Sequence, residues 1–305
     1  MTNRPREIAF DLIPLHSGDR RKWGALGRIG PVVFADVYGQ PAYFIVGRDE
    51  ALAILRDPET YERHLASETL PFPASYRAMV LKALSARAVK QEMERELRTR
   101  SPQILMSFDW TAQTRTGAIG HEFASEIFRI LAGVPAGGGQ VRIDYQADRR
   151  GFVHGVLSAR RRSQFLSHLP DDADAADVFT RIVTLGFPPA RDAVTRAMLK
   201  LMQVGTAARL RSHPELIPQF VDELLMPVVP LIERKCTKPV TIAGFDIPEG
   251  SWIALCAEAV SVEAFHAGKP KEALTFGLGQ HRCVGALLTK QALTVFIEES
   301  LKLWA

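Results

Sequence analysis

The stretch Phe276-Gly277-Leu278-Gly279-Gln280-His281-Arg282-Cys283-Val284-Gly285 constrains this chain more than any other, because an apolar-periodic segment, Ala286 to Leu293, follows it directly. A glycine-punctuated loop runs into a helix, with a lone cysteine at the junction. The first turn of a helix has unpaired N–H groups and carries about half a positive charge, so a cysteine there is favoured as its thiolate. Gly277, Gly279 and Gly285 allow backbone conformations, or the close approach of a flat ligand, that a Cβ would block.

A soft thiolate on a rigid loop is a good axial ligand for heme iron, and His281 stands two residues before it to meet an acidic group of such a ligand. A single Gly-x-Gly would equally describe a turn before a helix with a cysteine that merely packs. Here the pattern F-G-x-G-x-H-x-C-x-G is complete, and it resembles the heme-binding loop of the cytochrome P450 family. The resemblance implies heme b as cofactor, with Cys283 as the metal ligand and Phe276 shielding the sulfur. It also implies that His281 contacts a heme propionate.

The rest of the chain resembles the family in order. Val32–Val37 and Ala42–Val46 are β-rich runs around the turn signal Tyr38-Gly39-Gln40-Pro41, so residues 31–47 read as a hairpin. A short helix from Asp49 to Arg56 is expected next, with Asp49 as its N-cap. The pattern from Ser75 to about Arg100 reads as one helix. The resemblance places Arg77 on a heme propionate, whereas Pro73 stands where the family has a histidine. The charged run Arg95–Arg100 reads as a solvated face, with docking of an electron-transfer partner as the other reading. Residues 121–132 form an amphipathic helix, with His121 as a cap or surface residue.

The segment from Asp174 to about Ala208 reads as one long helix interrupted at 182–191. In the family the equivalent helix crosses the heme, and an acid–alcohol pair on it relays protons during oxygen activation. Gly186 keeps its place, but Pro188 and Pro189 occupy the acid and alcohol positions. They are expected to kink the helix and cannot pass a proton. Arg191, just beyond, would hold a substrate carboxylate or lie on the outer face.

Glu223 matches the glutamate of the family's Glu-x-x-Arg pair, yet Met226 replaces the arginine. A buried, unpartnered carboxylate would cost several kcal/mol unless Lys235, Arg234 or local exposure compensates. Arg234 stands at a propionate-binding position. Residues 240–250 match a β-turn of the family, and the strand Ser251–Cys256 follows. Cys236 and Cys256 read as packing residues.

The chain has 305 residues and a net charge of +4, with its basic residues spread along it, which argues against a nucleic-acid binder. Three scattered cysteines make neither a disulfide framework nor a zinc site. No apolar run reaches membrane-spanning length and the N-terminus lacks a signal-peptide core, so a cytoplasmic protein is expected.

The expected fold is a mainly α cytochrome P450-like domain over residues 1–305, with a small β region at about 31–47 and 240–256. It is shortened in the lid and lacks the last β-hairpin. A small-molecule substrate, a ferredoxin-type redox partner or peroxide, and a second copy or partner protein over the distal face are expected. The expected function is a heme-thiolate oxidoreductase of monooxygenase type using peroxide, or running redox-neutral chemistry. The alternative is a non-catalytic heme-binding accessory protein.

Overall fold

The computed structural model describes residues 4–13, 20–37, 39–63, 74–108, 116–136, 158, 163–169, 174–226, 228–269 and 272–303. Pro73, the glycines 137–139 and the arginines 160–162 lie outside them. The chain divides into two compact units, one of Met1–Thr69 with Leu225–Cys283, the other of Leu70–Leu224 with Val284–Ala305.

The first unit is built on a five-stranded sheet. Its strands are β1 (Val32–Val37), β2 (Gln40–Ile45), β3 (Tyr61–Arg63), β4 (Leu231–Cys236) and β7 (Trp252–Cys256), in the order β1-β2-β7-β4-β3. β2 runs parallel to β7 and the other pairs are antiparallel. Val240–Ile242 (β5) and Phe245–Ile247 (β6) form a separate hairpin. Both faces of β2 are covered, which is why Ala42–Val46 is an unbroken apolar run instead of an alternating one. Tyr43 and Ile45 face a core shared with α2 (Arg48–Arg56) and α10 (Ala257–His266). Phe44 and Val46 face Trp23 and Leu26 of α1 (Arg20–Gly27). Trp23 Nε1 donates to the buried Glu258 Oε2 at 2.8 Å, fastening α1 to α10.

The predicted hairpin is present, but Gln40 and Pro41 belong to β2 and not to the turn. Gly47, not Asp49, occupies the cap position of α2, because a Cβ there would strike Pro31 and Glu50. Asp49 and Glu50 lie in the first turn instead, where the helix dipole favours acids.

The second unit is helical, comprising α3 (Ala74–Ser85), α4 (Arg87–Met106), α5 (Thr116–Leu131), the short α6 (Gln164–Ser167), α7 (Asp174–Leu201), α8 (Thr206–Ser212), most of α9 (Ile217–Leu225) and α11 (Ala286–Leu303). Its centre holds fully buried Phe123, Phe165, Phe179 and Phe296, and Phe123 meets Phe296 edge-on at 4.9 Å.

The single helix expected over 75–100 is broken at Ala86, whose ψ of 134° is extended. No glycine or proline marks the break. On one straight helix Val89, Met93 and Leu97 would project away from the face that carries Val80 and Leu84. All five are buried, and the break allows it.

α7 departs in the opposite sense. It runs unbroken through Pro188 and Pro189 and ends at Leu201, before Gly205 turns the chain with φ of 79°. The prolines withdraw the hydrogen bonds of the Thr184 and Leu185 carbonyls, and both of those residues are exposed, so water can take the bonds over. His121 lies inside α5 and does not cap it; exposed, it sets its ring edge-on to Phe187.

The run Arg95–Arg100 is not a purely solvated face. Arg98 reaches Glu94, Glu298 and Glu299, tying α4 to α11. Burial works against its charge, but the hydrogen bonds to Glu298 and Glu94 outweigh it and hold the guanidinium above its ordinary value. Buried Arg100 pairs with Glu126 of α5 and donates to Glu96 at 2.9 Å and the Val134 carbonyl at 2.8 Å.

Candidate functional site

The cysteine loop belongs to the first unit and is held by its own backbone. Gly277 N–H donates to the Leu274 carbonyl at 2.8 Å, Arg282 N–H to Gly279 at 3.1 Å, and Cys283 N–H to Phe276 at 2.8 Å. Between them Gly279–His281 makes one 3-10 turn. Gly277 and Gly279 have φ of 68° and 67°, the left-handed region in which a side chain is strained. A Cβ on Gly279 would also lie 3.1 Å from the Leu55 carbonyl of α2. The glycines are therefore required by backbone shape, as the sequence pattern suggests. Cys283 emerges exposed, with His281 half-buried beside Gln280. After the cysteine, the Gly285 carbonyl accepts the Thr289 N–H at 2.9 Å and opens α11.

The loop rests on the face of β4 that also carries Arg234. Ile232 Cδ1 lies 3.9 Å from the Cβ position of Gly277, and Ile232 and Arg234, two apart on one strand, share that face. Arg234 is 5 % exposed, and its Nη1 donates to the neighbouring Glu233 carbonyl at 2.7 Å. Burial, and then the charge of Arg63, pull its guanidinium down to about 10. Among the described residues no carboxylate offsets this. A buried cation on the strand under the loop, together with an exposed cysteine in that loop, fits a ligand that brings both a thiophilic metal and an acid group, as heme does through its iron and propionates.

Cys236 and Cys256 are buried, as expected of packing residues. Burial pushes the Cys236 thiol up to about 11 and the Cys256 thiol higher still. In heme-free protein one thiol in three is therefore expected to react promptly with an aromatic disulfide reagent at neutral pH, and heme should protect it. Three fast thiols, or none, would contradict this arrangement.

The second unit holds the other residues singled out above. Arg77 is half-buried in α3. In α7, Gly186 lies against α5, where an added Cβ would come 3.1 Å from Phe128 Cζ, and Pro188 is exposed with Pro189 half-buried beside it. Arg191 is exposed, and its Nε donates to Asp192 Oδ1 at 2.9 Å. Glu223 is exposed and accepts from Gln219 Nε2 at 3.1 Å, so exposure removes the cost of losing its arginine partner.

Three features of the framework gave no local signal. Ser261 bonds to Leu274 N–H, Arg48 pairs with Glu272, and Gly120 sits where α5 meets α7.

Among the described residues no group of three or more His, Cys, Asp or Glu side chains gathers as a metal cluster, and no helix is long and apolar enough to cross a membrane.

Comparison with known proteins points one way. The family model for cytochrome P450 matches residues 206–304. The YjiB protein of Bacillus subtilis (strain 168) is 32% identical over 123 residues, which cover 36% of this chain and 31% of that protein. Mycocyclosin synthase of Mycobacterium tuberculosis is 26% identical over 162 residues, 48% of this chain and 41% of that one. The sequence matches thus span about a third of the first curated relatives. The fold likeness reaches much further. The crystal structure of CYP101J2 superposes with a TM-score of 0.74 over 99% of this chain and 90% of its own, at 17% identity. CYP109B1 from Bacillus subtilis gives 0.71 over 92% and 90%, at 18% identity.

Proposed function

We propose that the chain is a cytochrome P450 with heme b as its cofactor, and that it acts as a heme-thiolate oxidoreductase of monooxygenase type on a small organic molecule, as a single heme domain. The observation that carries this reading is the left-handed glycine loop that leaves Cys283 exposed, with its Gly277 against the β4 strand of buried Arg234. When bound, the heme supplies redox-active iron.

The chain's own residues divide the remaining tasks. The Cys283 sulfur would hold the iron, and Gly277 and Gly279 leave its approach clear of side chains. Phe276, whose carbonyl accepts the Cys283 N–H, would shield the sulfur from water. Arg234 and His281 would bind acid groups of the cofactor, a role the resemblance also gives to Arg77. Gly285 opens α11 immediately after the ligand.

Pro188 and Pro189 carry neither an acidic nor a hydroxyl proton, so α7 supplies no proton at those positions. Peroxide suits such a helix better than oxygen with a reductase, since a C–H bond and hydrogen peroxide give an alcohol and water with no external proton or electron. Arg191 would orient a substrate carboxylate once released from Asp192.

The test is turnover of candidate substrates with hydrogen peroxide against turnover with oxygen, a ferredoxin and its reductase. Product with peroxide alone is expected. Product only with the reductase system would overturn the peroxide assignment.

A further inference from the structure

We propose that Ser261, in the middle of α10, is a positioning residue that sets where the cysteine loop begins. The inference rests on the heme-thiolate reading of Cys283.

Ser261 is fully buried. Its Oγ donates to the Ala257 carbonyl at 2.6 Å, the usual back-bond of a serine inside a helix, which by itself contributes little. Its lone pair is used as well: it accepts the N–H of Leu274, thirteen residues on, at 2.9 Å. Several other helical serines and threonines among the described residues, including Ser101, Ser125, Thr180 and Ser300, make the back-bond within their own helix.

Leu274 is the root of the loop. It is 1 % exposed, and its carbonyl accepts Gly277 N–H, the bond after which the chain turns left-handed. Two residues before it, Glu272 pairs with Arg48, the first residue of α2. Near the other end of α2 the Leu55 carbonyl lies against Gly279. The loop is therefore fixed along α2 at both ends and bolted to α10 at its root. The hydroxyl of Ser261 is the buried member of this set, because the Arg48–Glu272 pair is partly exposed. Losing the hydroxyl strands the Leu274 N–H in an apolar core, and the root must shift to find another partner.

The experiment compares Ser261→Ala, Glu272→Gln and the control Ser300→Ala in the full heme-loaded chain. Ser300 is equally buried and back-bonded to Phe296, so its loss removes the same kind of bond away from the loop. Two readouts are taken: the Soret band of the ferrous carbon-monoxide complex, and amide hydrogen exchange at Leu274, Gly277 and Cys283.

Ser261→Ala is expected to lose about half or more of the red-shifted thiolate band and to raise exchange at Leu274 about tenfold. Glu272→Gln should move both readouts the same way by less, and it carries the test if Ser261→Ala does not fold. Ser300→Ala should leave both unchanged. Wild-type spectra and exchange in Ser261→Ala would overturn the proposal, as would equal loss in Ser300→Ala. A wild-type protein without a thiolate band would overturn the heme-thiolate reading instead, and the exchange data would still decide whether Ser261 holds the root.

Discussion

Replacing Cys283 with serine is expected to abolish the red-shifted Soret band of the ferrous carbon-monoxide complex, and with it all turnover. A serine hydroxyl is not ionised at neutral pH and is a hard, weak donor, so it cannot stand in for a thiolate on iron. The loop itself should survive. Backbone hydrogen bonds among residues 274, 276, 277, 279, 282 and 283 do not involve the sulfur, and Cys283 is exposed. Thermal stability of the heme-free variant should therefore stay within about 0.5 kcal/mol of wild type. Residual heme held through Arg234 and its companions would show an ordinary Soret band. Undiminished turnover in the serine variant would remove Cys283 from the mechanism.

The largest effect on stability is expected from Gly120→Ala. Glycine in the middle of a helix is normally a liability, and alanine would improve α5 by about 1 kcal/mol on propensity alone. At this position the added methyl would lie 2.7 Å from the Arg191 backbone carbonyl and would overlap Thr195 Oγ1, which donates to that same carbonyl. A backbone atom cannot rotate away, so α5 and α7 must separate. The net cost should be about 3 kcal/mol, which lowers the midpoint of thermal unfolding on the order of 10 °C. Gly186→Ala is the contrasting case. Its methyl would meet the far end of the Phe128 ring at 3.1 Å, and the ring can tilt, so stability should change by less than about 1 kcal/mol. Calorimetry on the two variants separates these outcomes; equal midpoints would show that the α5–α7 contact is not the tight one.

What could be read from the sequence follows the range of the forces involved. The cysteine loop, the 32–45 hairpin and the 240–247 turn are specified within a few residues by glycines and short β-branched and aromatic runs, and the structure has them. The mainly α fold with its small β region also holds, and the cytochrome P450 family model matches the chain over residues 206–304. The break at Ala86 was hidden, because it comes from two apolar faces that must both be buried and not from a breaker residue. The proline pair misled in the opposite direction: its lost hydrogen bonds fall on exposed carbonyls, so the helix continues. Arg100 looked like part of a charged surface run, and only the approach of α5 makes it a buried partner of Glu126. Glu223 looked like an orphan in the core, but its actual position is exposed.

The split of the first unit into two distant chain segments bears on how the protein is made. β2 finds its parallel neighbour only when β7 has been synthesised, some two hundred residues later by their register. Until then β1 and β2 are a lone hairpin with one hydrogen-bonding edge bare and an apolar run on it, which is a template for pairing with other chains. Helices α3 to α7 can meanwhile collapse through contacts nearer in sequence, whereas closure of the sheet must wait for the ribosome to pass Cys256. A stalled or truncated nascent chain should therefore be far more prone to aggregate than the finished one, and slow decoding between β2 and β7 would lengthen the interval of risk.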